Sequence, residues 1–116
     1  ILGFVNAPTL QQKVVKACLN EKTDISFYNR NRETLYNGLK ELGFECIKPE
    51  GAFYLFVKSP VEDEKQFCAA AKKYNILIVP GSSFGCPGYV RIAYCVSYET
   101  IVNSLPKFAE LAKEYK

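Results

Sequence analysis

The sequence predicts an α+β domain in which a small mixed sheet of about four strands is covered by helices. Three observations predict it. The chain has 116 residues, 48% apolar and 23% charged, an ordinary globular composition with enough apolar chain for one core. Four stretches place apolar residues at three- and four-residue steps, the spacing of one helix face. Between them lie short runs rich in Val, Ile, Phe and Tyr, punctuated by Pro and Gly, as strands and turns are. In chain order the elements read α-α-β-β-α-β-β-α, with no internal repeat and no low-complexity stretch.

The first helix is expected over residues 8–20. Pro8 suits its first turn, where a missing N–H leaves no bond unmade. Leu10, Val14, Val15, Ala17, Cys18 and Leu19 cover a broad face, so this helix needs a partner surface. A longer helix is expected over 24–42, with Thr23 or Asp24 as its cap. Ile25, Tyr28, Leu35, Leu39 and Leu42 form one stripe once Arg32 is counted among them. Arg32 then reads as an arginine snorkelling from a helix edge, or as a structural ion pair or site-facing charge. Gly43 is placed to end the helix in a left-handed cap, with Phe44 packing back.

Strands are expected over 44–48 and 52–58, joined by Pro49-Glu50-Gly51. The second is a continuous apolar run, Ala-Phe-Tyr-Leu-Phe-Val, which predicts cover on both faces. A third helix lies between 59 and 75. Ser59-Pro60-Val61-Glu62 fits a capping box with proline first, and a start a few residues later fits as well. Phe67, Ala70, Ala71 and Tyr74 supply its core stripe. A strand over 76–79 runs into the loop 80–88, and a strand over 89–96 follows. Ser97 caps a last helix that reaches about residue 115. Pro106 lies inside that helix and removes a backbone hydrogen bond, which predicts a kink or break.

Composition excludes several chemistries. The chain has no histidine, so Ser-His-Asp triads, Cys-His pairs and His-ligated metals are absent from it. Five cysteines stand at 18, 46, 68, 86 and 95, with no two at C-x-x-C spacing. An odd, scattered set argues against a disulfide framework or a four-cysteine zinc site. Reduced thiols and the lack of a signal peptide point to a cytoplasmic protein. No apolar run reaches the roughly 18 residues of a membrane-spanning helix. The net charge of +3 comes without a dense basic block, so neither nucleic acid nor membrane is an expected partner. The chain holds no methionine and opens at Ile1, which predicts a processed product or a piece of a longer protein.

Three stretches stand out for chemistry. Gly81, Gly85 and Gly88 punctuate the loop between two strands. Such a loop either cradles an anion with its N–H groups or makes a tight strand connection. Arg91 is the one charge in a strand of uncharged residues and shares a face with Tyr89, Ala93 and Cys95. It must reach water, an acidic partner or a ligand, and its planar fork matches a carboxylate. Gly51-Ala52-Phe53-Tyr54 places a small pair before aromatic residues, as core packing or as a pocket wall. No activated nucleophile and no acid–base pair is visible.

Together these motifs resemble one family. Pro49-x-Gly51-Ala52-Phe53-Tyr54, then Val79-Pro80-Gly81-x-x-Phe84-Gly85-x-x-Gly88-Tyr89-Val90-Arg91-Ile92-Ala93-Tyr94, look like the C-terminal part of class I/II pyridoxal-phosphate aminotransferases. Those enzymes form the aspartate aminotransferase superfamily, of fold type I. Tyr28-x-x-x-Arg32 with the Leu39…Leu42-Gly43 helix end resembles the family's long helix linking its two domains. Asn6-Ala7-Pro8…Gln12 resembles the segment that starts the large domain's last helix.

The resemblance implies an organisation and roles. Residues 1–22 are the tail of the large domain, and 23–116 are the C-terminal small domain with its linking helix. Arg91 matches the arginine that grips the α-carboxylate of the amino acid and of its 2-oxo product. Phe53 and Tyr54 lie on the substrate side of the pocket, and the loop 81–88 shapes the domain edge that moves on closure. Arg32 inherits no ligand role. The cofactor is pyridoxal 5′-phosphate, held mainly by a missing large domain that carries the Schiff-base lysine. The parent is an aminotransferase, a homodimer with active sites at its interface, and this piece alone is not catalytic. A lyase of the same fold, acting by β-elimination, shares these residues. A small ligand- or RNA-binding module is a rival from another class, but its usual β-α-β-β-α-β order differs from the order here.

Overall fold

A computed structural model describes residues 7–115. Its elements are α1 (Thr9–Ala17), α2 (Ile25–Glu41), β1 (Cys46–Ile47), β2 (Tyr54–Lys58), α3 (Glu64–Lys73), β3 (Val79–Pro80), β4 (Tyr89–Ala93) and α4 (Tyr98–Lys113), with a 3-10 turn at Gly81–Phe84 between β3 and β4. The α+β order is as expected, and Asn6 lies outside the described residues.

The sheet order is β1-β2-β4-β3. Every pairing in it is antiparallel, which corrects the expectation of a mixed sheet. β2 and β3 do run the same way, joined through α3. But β4 lies between them, so the two parallel strands never touch. In the register, Arg91 stands between Phe56 of β2 and Val79 of β3.

Helices α2, α3 and α4 cover one face of the sheet. Leu35 and Leu39 from α2, Leu55 and Val57 from β2, Phe67 and Ala71 from α3, Val90 and Ile92 from β4, and Phe108 and Leu111 from α4 make the core. The other face is open. In β2, Leu55 and Val57 are buried while Tyr54 and Lys58 are exposed, so the cover expected on both faces is on one only. The outward positions are aromatic, and this conceals the alternation from a hydropathy reading.

The strands are shorter than expected for reasons visible in the backbone. Gly43 (φ 91°) caps α2 as expected, with Gly43 N–H bonded to Lys40 O and Phe44 N–H to Leu39 O, each at 3.0 Å. That double closure is a Schellman motif, and it uses the N–H that would begin β1. Asn75 (φ 59°) does the same for α3, and Ile76 N–H returns to Ala71 O at 3.0 Å. β4 ends at Ala93 because the carbonyls of Tyr94 and Val96 turn to the Asn31 amide, at 3.0 and 2.7 Å.

Helix starts follow side-chain caps. Asp24 accepts from Ser26 N–H at 2.9 Å, and Ser97 accepts from Thr100 N–H at 3.2 Å. For α3 the cap is Asp63, which accepts from Lys65 N–H at 2.9 Å, not Ser59. Ser59 Oγ makes a local turn with Val61 N–H, and Ser59 N–H is taken by Gly88 O. Pro8 is the N-cap of α1 rather than its first helical residue. Of the kink or break expected at Pro106, the break does not occur: α4 is continuous through it. The carbonyl that loses its donor is that of Val102, four residues back, and Val102 is exposed, so water can take it.

Helix α1 stands apart. None of its residues is buried, and Leu10 and Leu19 are each 70% exposed. The Cα radius of gyration is 17.8 Å, against about 13 Å for a compact chain of this length. The broad apolar face of α1 has no partner among the described residues.

Candidate substrate-binding site

The open face of the sheet presents Tyr54, Phe56 and Lys58 from β2 and Tyr89, Arg91 and Ala93 from β4. Arg91 is held there by aromatic rings. Its guanidinium carbon lies 4.1 Å from the Tyr54 ring centroid and 3.8 Å from that of Phe84. Such contacts contribute about 0.5–2 kcal/mol each, more as water is removed. The ion pairs among the described residues are Arg32–Glu33, Lys48–Glu33, Lys58–Glu45 and Lys107–Glu110. Among those residues, then, no acid neutralises Arg91. Two rings flank the guanidinium, and Arg91 is half-buried on the open face of the sheet.

The 3-10 turn brings Phe84 to Arg91. Gly81 is buried, and a Cβ there would stand 2.2 Å from Cys86 O and 2.6 Å from Tyr89 O. The turn is closed by Gly85 N–H to Ser82 O and Cys86 N–H to Gly81 O, with Gly85 left-handed at φ 73°. Gly88 N–H goes to Glu64 Oε2 at 3.2 Å. Three amides of the loop are thus bonded within the chain, one of them to a carboxylate. The loop is a tight strand connection, and the Glu64 carboxylate at Gly88 N–H stands against an anion there.

Glu64, the first residue of α3, is only 7% exposed. Its carboxyl is held below the usual range, first by the Ser82 hydroxyl and then by backbone N–H groups that include Gly88. It therefore works as a charged anchor for the loop that carries Phe84.

The second wall comes from residues 52–54. Ala52 is left-handed (φ 61°) without being glycine, a conformation that costs about 1–2 kcal/mol. Tyr94 secures this turn twice. Its N–H donates to Phe53 O at 3.0 Å, and its hydroxyl donates to Ala52 O. Burial raises the Tyr94 phenol above its ordinary range, so it remains a donor through neutral pH. Phe53 turns toward α2, with its ring centroid 4.9 Å from that of Tyr28.

Of the three residues singled out from the sequence, Arg91 and Tyr54 come together, and Phe53 forms the adjoining wall with Tyr28. Arg32 serves the same region from behind. It donates to Pro49 O at 3.2 Å and to Glu33 at 3.1 Å, tethering the turn that enters β2. Three contributors were given no role by the sequence: Phe84 and Tyr94, which stand in the quoted motif, and Glu64, which does not. Phe84 was visible as an aromatic residue between the loop glycines. Glu64 and Tyr94 gave no local signal, because their partners lie 24 and 42 residues away.

The described residues do not make a pyridoxal-phosphate site. Every described lysine is exposed, so none offers the desolvated amine that an aldehyde cofactor needs. In the loop with most glycine, the amides of Gly85, Cys86 and Gly88 are already bonded within the chain. Among the described residues no cluster of His, Cys, Asp or Glu could hold a metal, and no helix is long and apolar enough to cross a membrane.

Known proteins share this fold. An aminotransferase structure from Eubacterium rectale superposes with a TM-score of 0.92 at 48% identity, covering 99% of this chain and 29% of that one. Aspartate aminotransferase from Thermus thermophilus, solved with maleate, gives a TM-score of 0.71 at 32% identity, over 74% of this chain and 23% of that one. Aromatic-amino-acid aminotransferase 2 from Thermococcus litoralis is 36% identical over 94 residues, 77% of this chain and 24% of its own length. The chain thus spans about a quarter of such relatives. Residues 2–106 match the family described as Aminotransferase class I and II, and the chain belongs to that family.

Proposed function

We propose that this chain is the C-terminal part of a pyridoxal-phosphate-dependent amino-acid aminotransferase, and that Arg91 binds the α-carboxylate of the amino acid and of the 2-oxo acid exchanged for it. The observation that carries this is the Arg91 guanidinium, stacked on Tyr54 and Phe84 with no acidic partner among the described residues. A planar fork presented edge-on takes both oxygens of a carboxylate in parallel hydrogen bonds. The rings exclude water from the faces of the guanidinium, which strengthens those bonds. They also limit its rotation, so a bound substrate is held in one orientation. The maleate of the Thermus thermophilus relative is a dicarboxylate, in keeping with carboxylate capture on this fold.

In this reading residues 23–116 form the small domain, and residues 1–22 end the large one. The exposed face of α1 (Leu10, Val14, Val15, Leu19) supports that division, since an apolar helix face needs cover. The cofactor and its lysine then belong to the large domain, and a homodimer in the cytoplasm completes the proposal.

The test is Arg91→Lys and Arg91→Ala in the full-length enzyme loaded with pyridoxal phosphate. Losing a two-bond charged clamp should raise KM for the amino donor roughly 100-fold in the alanine variant. Lysine keeps the charge without the fork and should fall between. An unchanged KM in both variants would refute the assignment.

A further inference from the structure

The hydroxyl of Tyr94 lies on the core side of the sheet, yet it reaches a backbone carbonyl at the substrate face. Tyr94 is 2% exposed, Ala52 is exposed, and the two are 42 residues apart. Ala52 is one of two described residues other than glycine with a positive φ. The other, Asn75, closes a helix, and asparagine tolerates that region well. Alanine at φ 61° has no such explanation. A residue held in a sparsely populated backbone region persists only where its surroundings determine it. Here the determining contacts are both from Tyr94, through its N–H to Phe53 O and its hydroxyl to Ala52 O. The next residue, Tyr54, opens β2 and carries the ring that stacks on Arg91. Behind Tyr94, the buried Asn31 amide holds the Tyr94 carbonyl at 3.0 Å, so the tyrosine is fixed at both ends.

We propose that Tyr94 is a positioning residue for substrate binding: its hydroxyl holds Ala52 in the left-handed turn that sets the Tyr54 ring against the Arg91 guanidinium. It touches no substrate itself. The inference rests on the carboxylate reading of Arg91 for its kinetic consequence, but not for its structural one.

Tyr94→Phe tests it in the full-length holoenzyme. The variant keeps the buried ring, and the freed Ala52 carbonyl lies where water can reach it, so folding is preserved. The expected result is a KM for the best amino donor raised about fivefold, with kcat within about twofold and the cofactor's visible band unaltered. Fivefold corresponds to about 1 kcal/mol at 1.36 kcal/mol per decade. A crystal structure of the variant should show Ala52 outside the left-handed region and the Tyr54 ring withdrawn from Arg91. A structural role confined to the core would lower the melting temperature and leave KM unmoved, which overturns the proposal. Arg91→Lys is assayed alongside. If it raises KM and Tyr94→Phe does not, Tyr94 is not a positioning residue and the carboxylate reading stands. If Arg91→Lys has no effect, the carboxylate reading falls, and the Ala52 backbone in the Tyr94→Phe crystal alone decides whether the hydroxyl sets the turn.

Discussion

Asn31 on α2 and Tyr94 just after β4, 63 residues apart, are joined by a 3.0 Å hydrogen bond from the Asn31 amide to the Tyr94 carbonyl. The same amide reaches Val96 O at 2.7 Å. Asn31 is fully buried, and its own Oδ1 has no partner among the described residues. The two N–H bonds are therefore what this polar side chain contributes to a helix–strand junction. Asn31→Ala removes both donors and leaves the buried Tyr94 carbonyl unsatisfied, so a loss of about 2–4 kcal/mol is expected. Asn31→Asp at pH 7 should lose at least as much, because a carboxylate then faces two carbonyls. Urea unfolding of the three proteins checks both.

Phe84 presents the complementary case. It is 46% exposed, so Phe84→Ala should change stability by less than about 1 kcal/mol. Its ring lies 3.8 Å from the Arg91 guanidinium carbon, and removing it lets water onto that cation. KM for the amino donor should rise about two- to fivefold, the size of a partly exposed cation–π contact. Steady-state kinetics beside a thermal melt separates the two effects. A melt that falls steeply with KM unmoved would remove Phe84 from the site.

Much of this was legible in the sequence. Periodicity and caps placed four helices, and Gly43 marked the end of α2. Arg91 stood out because charge is rare inside an apolar strand. What was hidden depends on partners distant in the chain. Asp63 caps α3, while Ser59, whose N–H is held by Gly88 O, makes a local turn with Val61 instead. The strands shorten because helix closures and the Asn31 amide capture the backbone groups that pairing would need. The aromatic character of Tyr54 and Phe56 concealed which face of β2 is open, and that face is the one that carries the candidate site.

Glu64 should make stability depend on pH in a defined sense. Its folded carboxyl is held below the ordinary glutamate value of 4.5, first by the Ser82 hydroxyl. A depressed folded value means the ionised form is favoured by folding. The stability it contributes is complete above about pH 5 and is lost as pH falls below 4.5 through the folded value. Glu64→Gln lacks this dependence. The gap between wild type and Glu64→Gln in urea unfolding should be constant from pH 6 to 7 and shrink toward pH 3. A gap that widens in acid would mean the carboxyl is not ionised in the folded protein.

Two glycines should respond differently to the same substitution. At Gly81 a Cβ meets two backbone oxygens at 2.2 and 2.6 Å, and neither can move without opening the turn that carries Phe84. Gly81→Ala should cost more than about 3 kcal/mol and weaken substrate binding as well. At Gly38 the obstruction is the Leu105 side chain, at 2.6 Å, which can change rotamer. Helix propensity there favours alanine by about 1 kcal/mol, so Gly38→Ala should be destabilising by less than about 2 kcal/mol. Thermal melts of the two variants give the comparison, and equal losses would contradict it.

Helix α1 should exchange its amide hydrogens far faster than α2. It has nine residues and none of them is buried. A helix that short, without packing, is marginal in water, so its amides should exchange within about tenfold of coil rates. The α2 amides around Leu35 and Leu39 are locked by the core and should exchange only through global unfolding. Hydrogen exchange on the 116-residue chain measures both in one experiment. Protection of α1 comparable to α2 requires something to cover Leu10, Val14, Val15 and Leu19. Repeating the measurement at a tenfold lower concentration identifies it: protection that falls on dilution comes from a second copy of the chain, and protection that persists means α1 packs onto its own domain.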